Sequence, residues 1–443
     1  MTEKEILRLV ADPGFADWLN QIQRVHGCAH PIYLAGRTVI RDPESGTVLH
    51  EYSTATAPGG KIAVRCRNRR ESVCAPCSWV HAGDTWHLVR AGLLGGKGVP
   101  PAVSRHPRVF VTLTAPSFGP VHRLGEQRRR CRPRRDAPLC PHGRELSCAQ
   151  VHSRTDPLIG QPLCPQCYRY SDHVLWNALA PDLWSRTVRV IRRRLATAGG
   201  IPRAKLKEHL GAAFTKVAEF QRRGAIHYHA VIRLDGPDGP ASEPPAWATI
   251  EVLSNAIVSA VQSVYSPLPY APEIGHFEAR WGTQLDIHSI TVGRGAVSDQ
   301  AVAAYIAKYI TKDVGSFGGT DRRLLTRHQI ARRPVSRHFR TLMRTAWDLG
   351  DAPALASLRL RARAHTLGYG GQALTKSARY STTYKKLRAA RAAHAGPVLP
   401  VGEMDAAWRF VGAGHTPAEA EIAAGVASDL AWAREAANEV RDA

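Results

Sequence analysis

The segment Gly224–Leu234, GAIHYHAVIRL, decides the fold. In an extended chain Ile226, Tyr228, Ala230, Ile232 and Leu234 share one face, and His227, His229, Val231 and Arg233 share the other. The first set is what a sheet presents to its core. The stretch is therefore expected to be a strand carrying two neighbouring imidazoles on its second face. Such a pair is spaced to grip one ion, although hydrogen bonds alone satisfy many strand histidines.

Immediately upstream, VAEFQRRGAIHYH reads as a hairpin. A three-residue loop, Arg222-Arg223-Gly224, with Gly224 in the left-handed region, pairs Gln221 with Ala225 and sets Glu219 opposite His227. A carboxylate beside two imidazoles makes a three-ligand site with open positions, suited to Mg2+ or Mn2+ acting on phosphate oxygens. Two alternatives stay open for Glu219: a cross-strand ion pair with the hairpin arginines, or a four-residue loop that turns it to the wrong face.

RVFVTLTAP (108–116) is a second clean strand, stopped by Pro116, and QLDIHSITV (284–292) a third. Helical patterning marks DHVLWNALAPDLWSRTVRVIRRRLA and WATIEVLSNAIVSAVQSVY. SDQAVAAYIAKYITKDVG is a further helix, with Ser298 as N-cap and Gly315 as C-cap. On it Tyr305, Lys308, Tyr309 and Lys312 fall at i, i+3, i+4 and i+7, one stripe opposite Ala303, Ile306 and Ile310. In isolation that stripe reads as a solvated Lys/Tyr face. Its chemical reading is a nucleophile helix: a phenol titrates near ~10 and needs a nearby lysine and a metal-polarised phosphate to attack at neutral pH. Two tyrosines one turn apart could alternate, one holding a DNA end while the other cuts.

The net charge is +23, and 49 of the 60 cationic residues are arginine. A GC-rich genome accounts for much arginine and alanine, but not for so large an imbalance, which calls for a polyanionic partner such as nucleic acid. Arginine also grips phosphates and bases bidentately. The runs EQRRRCRPRRD, RVIRRRLA, RHQIARRPVSRHFR and SLRLRARAH are expected to contact phosphates with steep salt dependence. The N-terminus has no basic-then-apolar run, and no stretch nears the roughly 18 apolar residues of a membrane span. A cytoplasmic location without a membrane partner is the expectation.

Nine cysteines in a reducing compartment then need a use other than disulfides. Cys74 and Cys77 form a CxxC, Cys66 precedes them, and Cys28 could complete a tetrahedral set. A second CxxC, Cys164 and Cys167, is expected to join Cys140 and Cys148, with Cys131 as the rival and His142 or His152 as further candidates. One or two structural Zn2+ ions follow. The chain divides into an N-terminal region with a Cys-rich module (1–104) and a central domain (105–320) with a Cys/Arg-rich insertion (122–172). A basic, then Ala-rich helical C-terminal region (321–443) completes it. GLLGGKGVPPAVSRHP (92–107) reads as a linker, and no internal repeat is evident.

FVTLTAP, AIHYHAVIRL and YIAKYITK, in that order, resemble the three motifs of HUH-endonuclease replication initiators, especially those of plasmids and integrative elements of high-GC Gram-positive bacteria. The likeness takes in the Cys segments and RYSTTYKKLRAAR, and covers most of residues 25–390. It implies an α+β fold with a central antiparallel sheet backed by helices, zinc-stapled N-terminal and inserted segments, and a helical C-terminal region. It also implies a site-specific nick at a replication origin, a 5′-phosphotyrosine link, and a 3′-OH that primes rolling-circle replication. By the resemblance His227 and His229 are the metal pair, Tyr309 the nucleophile, Tyr305 the second tyrosine, and Lys312 the lysine that follows, with Lys308 beside them. Thr112 and Thr114 of the first motif, with Arg222 and Arg223, are expected to touch DNA, both the double-stranded origin and the nicked single strand. Host helicase and polymerase are implied partners, and the nucleoid or plasmid the expected place. A two-tyrosine HUH transposase or a relaxase shares the chemistry; a non-catalytic, zinc-containing DNA-binding regulator is the rival of another class.

Overall fold

A computed structural model describes residues 3–125, 129–136, 138–272, 274–291, 297–312, 322–395 and 399–442. In chain order the helices are α1 (Glu3–Val10), α2 (Phe15–Arg24), α3 (Ala75–Leu94), α4 (Tyr170–Ala198), α5 (Ile250–Ser263), α6 (Asp299–Ile310), α7 (Arg327–Ala331), α8 (Arg337–Leu349), α9 (Tyr384–Ala395) and α10 (Pro417–Asp442). The strands are β1 (Ile32–Arg41), β2 (Val48–Ser53), β3 (Ile62–Val64), β4 (Arg108–Thr114), β5 (Gly211–Phe220), β6 (Ile226–Asp235), β7 (Ser266–Pro267), β8 (Glu278–Ala279), β9 (Leu285–Ser289), β10 (Leu374–Lys376) and β11 (Glu403–Ala413). Among the described residues no helix is long and apolar enough to cross a membrane. The chain forms two compact units, Met1–Asp84 with Thr383–Ala443, and Thr85–Thr382.

The larger unit is α+β, as expected. Its sheet is antiparallel throughout, in the order β10-β5-β6-β4-β9, so the histidine strand is central. Ile226, Tyr228, Ala230, Ile232 and Leu234 enter one core with Val109, Val111 and Leu113 of β4 and Leu175, Leu183 and Ile191 of α4. The other face is covered as well: Val231 and Arg233 are fully buried, and Arg233 pairs with Asp235 at 2.6 Å.

The β5–β6 turn is the three-residue loop. Gln221 N–H donates to Ala225 O at 2.8 Å, Gly224 has φ +85°, and Glu219 lies in register with His227. The four-residue alternative is thereby removed. A helix side chain finishes the turn: buried Asn177 donates to the carbonyls of Gly224 (3.0 Å) and Leu367 (3.1 Å) and accepts from Ile226 N–H (3.0 Å). Residues 115–169 form only isolated bridges among the described residues, in keeping with the loop-like insertion.

In the smaller unit β1 pairs with β11, β2 and β3, all antiparallel. The C-terminal region expected to be helical also holds a strand: EMDAAWRFVGA is β11, while the Ala-rich segment is the helix α10. The three-region division differs too. Residues 321–382 belong with the sheet unit, residues 383–443 with the N-terminal segment, and the division falls inside α3 rather than in the Gly/Pro stretch 92–107.

Candidate active site and metal centres

On the face of β6 away from the core, the rings of His227 and His229 stack with centroids 4.5 Å apart. Each strand neighbour supplies an orienting group. Glu219 Oε2 lies 3.1 Å from His229 Nε2, and Thr112 Oγ1 lies 3.1 Å from Nδ1 of the same ring. Phe110 stacks on His229 at 5.8 Å. Gln221 Nε2 lies 3.2 Å from His227 Nδ1, while Gln221 Oε1 accepts from Arg223 Nε at 2.9 Å.

Helix α6 lies over this face. Ser298 caps it, accepting from Ala301 N–H at 3.2 Å. Ala303, Ile306 and Ile310 are buried as its periodicity requires, which turns the tyrosine stripe toward the histidines. Gly315 lies outside the described residues. Tyr305 OH is 3.0 Å from His229 Nε2, the Tyr305 and Tyr309 rings are 4.5 Å apart, and the Lys312 and Lys308 ammonium groups sit 5.0 and 6.0 Å from the Tyr309 ring centre. Six residues chosen from sequence, Glu219, His227, His229, Tyr305, Tyr309 and Lys312, thus converge, with Lys308 at the edge.

Burial and the Glu219 charge act on the protonation of the groups in this pocket. Burial pushes both phenols upward, Tyr305 far, and the Glu219 charge adds to the push on each. Burial, then the neighbouring His229 and Arg223, lowers His227 to about 3, so its ring is neutral and able to ligate. Its Nε2 is buried without a hydrogen-bond partner among the described residues. A divalent ion held by His227, His229 and Glu219 would answer that orphaned nitrogen and offset the charge that keeps the phenols protonated. Among the described residues the three donors do not all lie within 4.8 Å of one another, although Glu219 Oε2 and His229 Nε2 are 3.1 Å apart and the Tyr305 hydroxyl shares that nitrogen. Ligation there requires the Tyr305 hydroxyl to give way. A metal on Nε2 of His227 would leave the ring proton on Nδ1, facing the Gln221 amide.

Three of the residues expected to touch DNA make bonds within the chain. Arg223 clamps the hairpin, donating to the carbonyls of Pro116 (3.0 Å) and Ala115 (3.1 Å) over the Phe118 ring. Thr114 is buried, its hydroxyl bonded to Gln284 O, and Thr112 orients His229. Arg222 is exposed. Sequence reasoning missed Gln221, whose place two positions after Glu219 puts it on the histidine face.

The cysteines fall into three groups whose donor atoms each lie within 4.8 Å, any of which could hold a metal such as zinc. Cys28, Cys66, Cys74 and Cys77 form the expected set, with the Cys66 thiol first among the causes lowering Cys28 to about 7. The second expected set is corrected. Cys140, Cys164 and Cys167 close on His142 rather than Cys148, and His142 Nδ1 lies 3.2 Å from Cys167 Sγ. Cys148 joins Cys131, His122 and His152 in a third group.

A family profile described as "RepSA: Replication initiator protein, pSAM2" matches residues 14–428. A Streptomyces ambofaciens protein described as "Replication initiator protein" is 42% identical over 456 residues, spanning 99% of this chain and 95% of its own. No solved structure matches.

Proposed function

The chain belongs to the replication initiator family of that profile, and from this premise we propose that it starts rolling-circle replication by nicking one origin strand through a tyrosine of α6, as HUH endonucleases do. It is a replication initiator and hence a DNA-binding protein; the nick is our reading of the site. The observation that carries it is the Tyr305 hydroxyl 3.0 Å from His229 Nε2, with Tyr309 packed against Tyr305.

His227, His229 and Glu219 would hold Mg2+ or Mn2+, which when bound polarises a phosphate oxygen and draws charge from the attacked phosphorus. Lys312 and Lys308, whose ammonium groups lie 5.0 and 6.0 Å from the Tyr309 ring centre, would offset the charge of its phenolate. The Tyr309 oxygen bonds to phosphorus as its proton leaves; the P–O3′ bond breaks, and the departing oxygen takes up a proton to become the 3′-OH primer. Tyr305, once released from His229, would receive the strand in the closing transfer. Zinc in the Cys28 and Cys140 groups staples segments that lack a large core.

The test is direct. Supercoiled origin plasmid with Mn2+ or Mg2+ should yield nicked circles bonded at their 5′ end to Tyr309, and Tyr309→Phe should yield none. Tyr305→Phe should lose strand transfer more than the first cut. Origin binding without nicking by the wild type in either metal would replace this reading with that of a non-catalytic regulator.

A further inference from the structure

We propose that His122, Cys131, Cys148 and His152 form a zinc centre of their own, and that this centre braces the turn carrying the histidine hairpin. The four donors meet within 4.8 Å although they come from three separate stretches of a segment that has almost no secondary structure among its described residues. His122 Nδ1 lies 3.2 Å from His152 Nε2, and Cys148 Sγ lies 3.6 Å from that same nitrogen. Two thiols and two imidazoles in this arrangement suit tetrahedral zinc, and the thiols' two protons pass to solvent on binding, leaving a neutral site.

The surrounding bonds orient the donors. His152 Nδ1 is held by Asp156 Oδ2 at 2.7 Å, the carboxylate contact that fixes a ligating ring with its lone pair on Nε2. The backbone N–H of Arg123 donates to Cys131 Sγ at 3.2 Å, a bond that favours thiolate. Arg132 and Cys148 are joined by paired backbone bonds of 2.8 and 2.9 Å, which present Cys131 and Cys148 together.

The link to the hairpin is short. His122 O accepts from Gly160 N–H, and His122 N–H donates to Gln161 O, both at 2.8 Å. Gly160, at φ +89°, lies so close to the turn that a Cβ there would stand 2.5 Å from the Arg222 carbonyl atoms and 2.7 Å from Arg223 N. Through Arg223 the turn holds Gln221, and Gln221 meets His227. Fixing His122 and His152 on one ion therefore fixes the loop 156–161 against the turn.

The assignment of zinc is independent of nicking, while the value of the brace to catalysis rests on the proposed function. Full-length protein purified without chelator is treated with iodoacetamide, before and after stripping by a chelator, and alkylation is mapped by peptide mass. Cys131 and Cys148 should be protected until stripping, at least tenfold. Elemental analysis should find three zinc ions per chain, falling by one in Cys148→Ser and in His122→Ala. Equal alkylation with and without metal, or an unchanged zinc count in both variants, overturns the site. Amide exchange at Arg222–Gly224 should rise about tenfold in Cys148→Ser. Unchanged exchange there, with the third ion lost, overturns the brace and leaves the metal.

Discussion

Tyr305 is both close to the proposed metal position and in its way. Its hydroxyl occupies the nitrogen of His229 that a cation needs, so Tyr305→Phe removes a competitor. One neutral hydrogen bond is worth about 0.5–1.5 kcal/mol, and Mn2+ should bind about two- to tenfold tighter in Tyr305→Phe when titrated calorimetrically. Weaker binding would mean that the hydroxyl supports the ligand set. A second residue, Lys216, is 3% exposed on β5 with its ammonium 3.7 Å from the Tyr228 ring centre. Burial lowers its pKa from 10.5 to about 7. The unfolded chain therefore holds this proton more tightly than the folded one, and the penalty is fully present below about pH 7 and fades as pH rises toward 10.5. Lys216→Met should raise the urea midpoint at pH 7 and flatten the rise in stability between pH 7 and 10. The histidine pair and the tyrosine stripe were legible because each lies within a dozen residues and obeys one period. The duty of Arg223 was not: its carbonyl partners Ala115 and Pro116 are more than 100 positions away, and charge alone cannot tell a clamp from a DNA contact.

At the level of elements, the hairpin depends on a helix. Asn177 replaces ladder bonds that the β5–β6 turn cannot make for itself, reaching Gly224, Ile226 and Leu367. Asn177→Ala would bury those groups unpaired, and the urea midpoint should fall by the equivalent of about 2–4 kcal/mol. A loss below 1 kcal/mol would show the turn to be self-sufficient. Strands β4, β5, β6 and β9 and helices α4 and α5 sit where their patterns point, since each turns one apolar face to a single core, and α6 does so with its own buried stripe of Ala303, Ile306 and Ile310. Strand β11 escaped because almost all its residues are exposed, so no alternation marks it, and its partner β1 lies at the far end of the sequence. The metal groups were half legible. A CxxC announces itself, but which distant cysteine or histidine completes it is decided by loops without periodicity, as the exchange of Cys148 for His142 illustrates.

For the whole molecule, the +23 charge should dominate how tightly DNA is held. If about 6–10 phosphates are contacted, affinity for an origin duplex should drop by about 10³–10⁵ between 50 and 200 mM salt, measured by fluorescence anisotropy. A flat salt response would assign the charge to solubility instead. The pairing of β1 with β11 has a consequence during synthesis. Translation at about 5–20 residues per second leaves the first sheet strand waiting roughly 20–70 s for the last. The unit Thr85–Thr382 is meanwhile complete and free to fold on the ribosome, so the nascent chain can acquire its histidine sheet while β1 has β2 and β3 beside it but not yet β11. A frameshift or early stop after residue 382 would spare that sheet and leave β1 with one edge bare, an invitation to proteases.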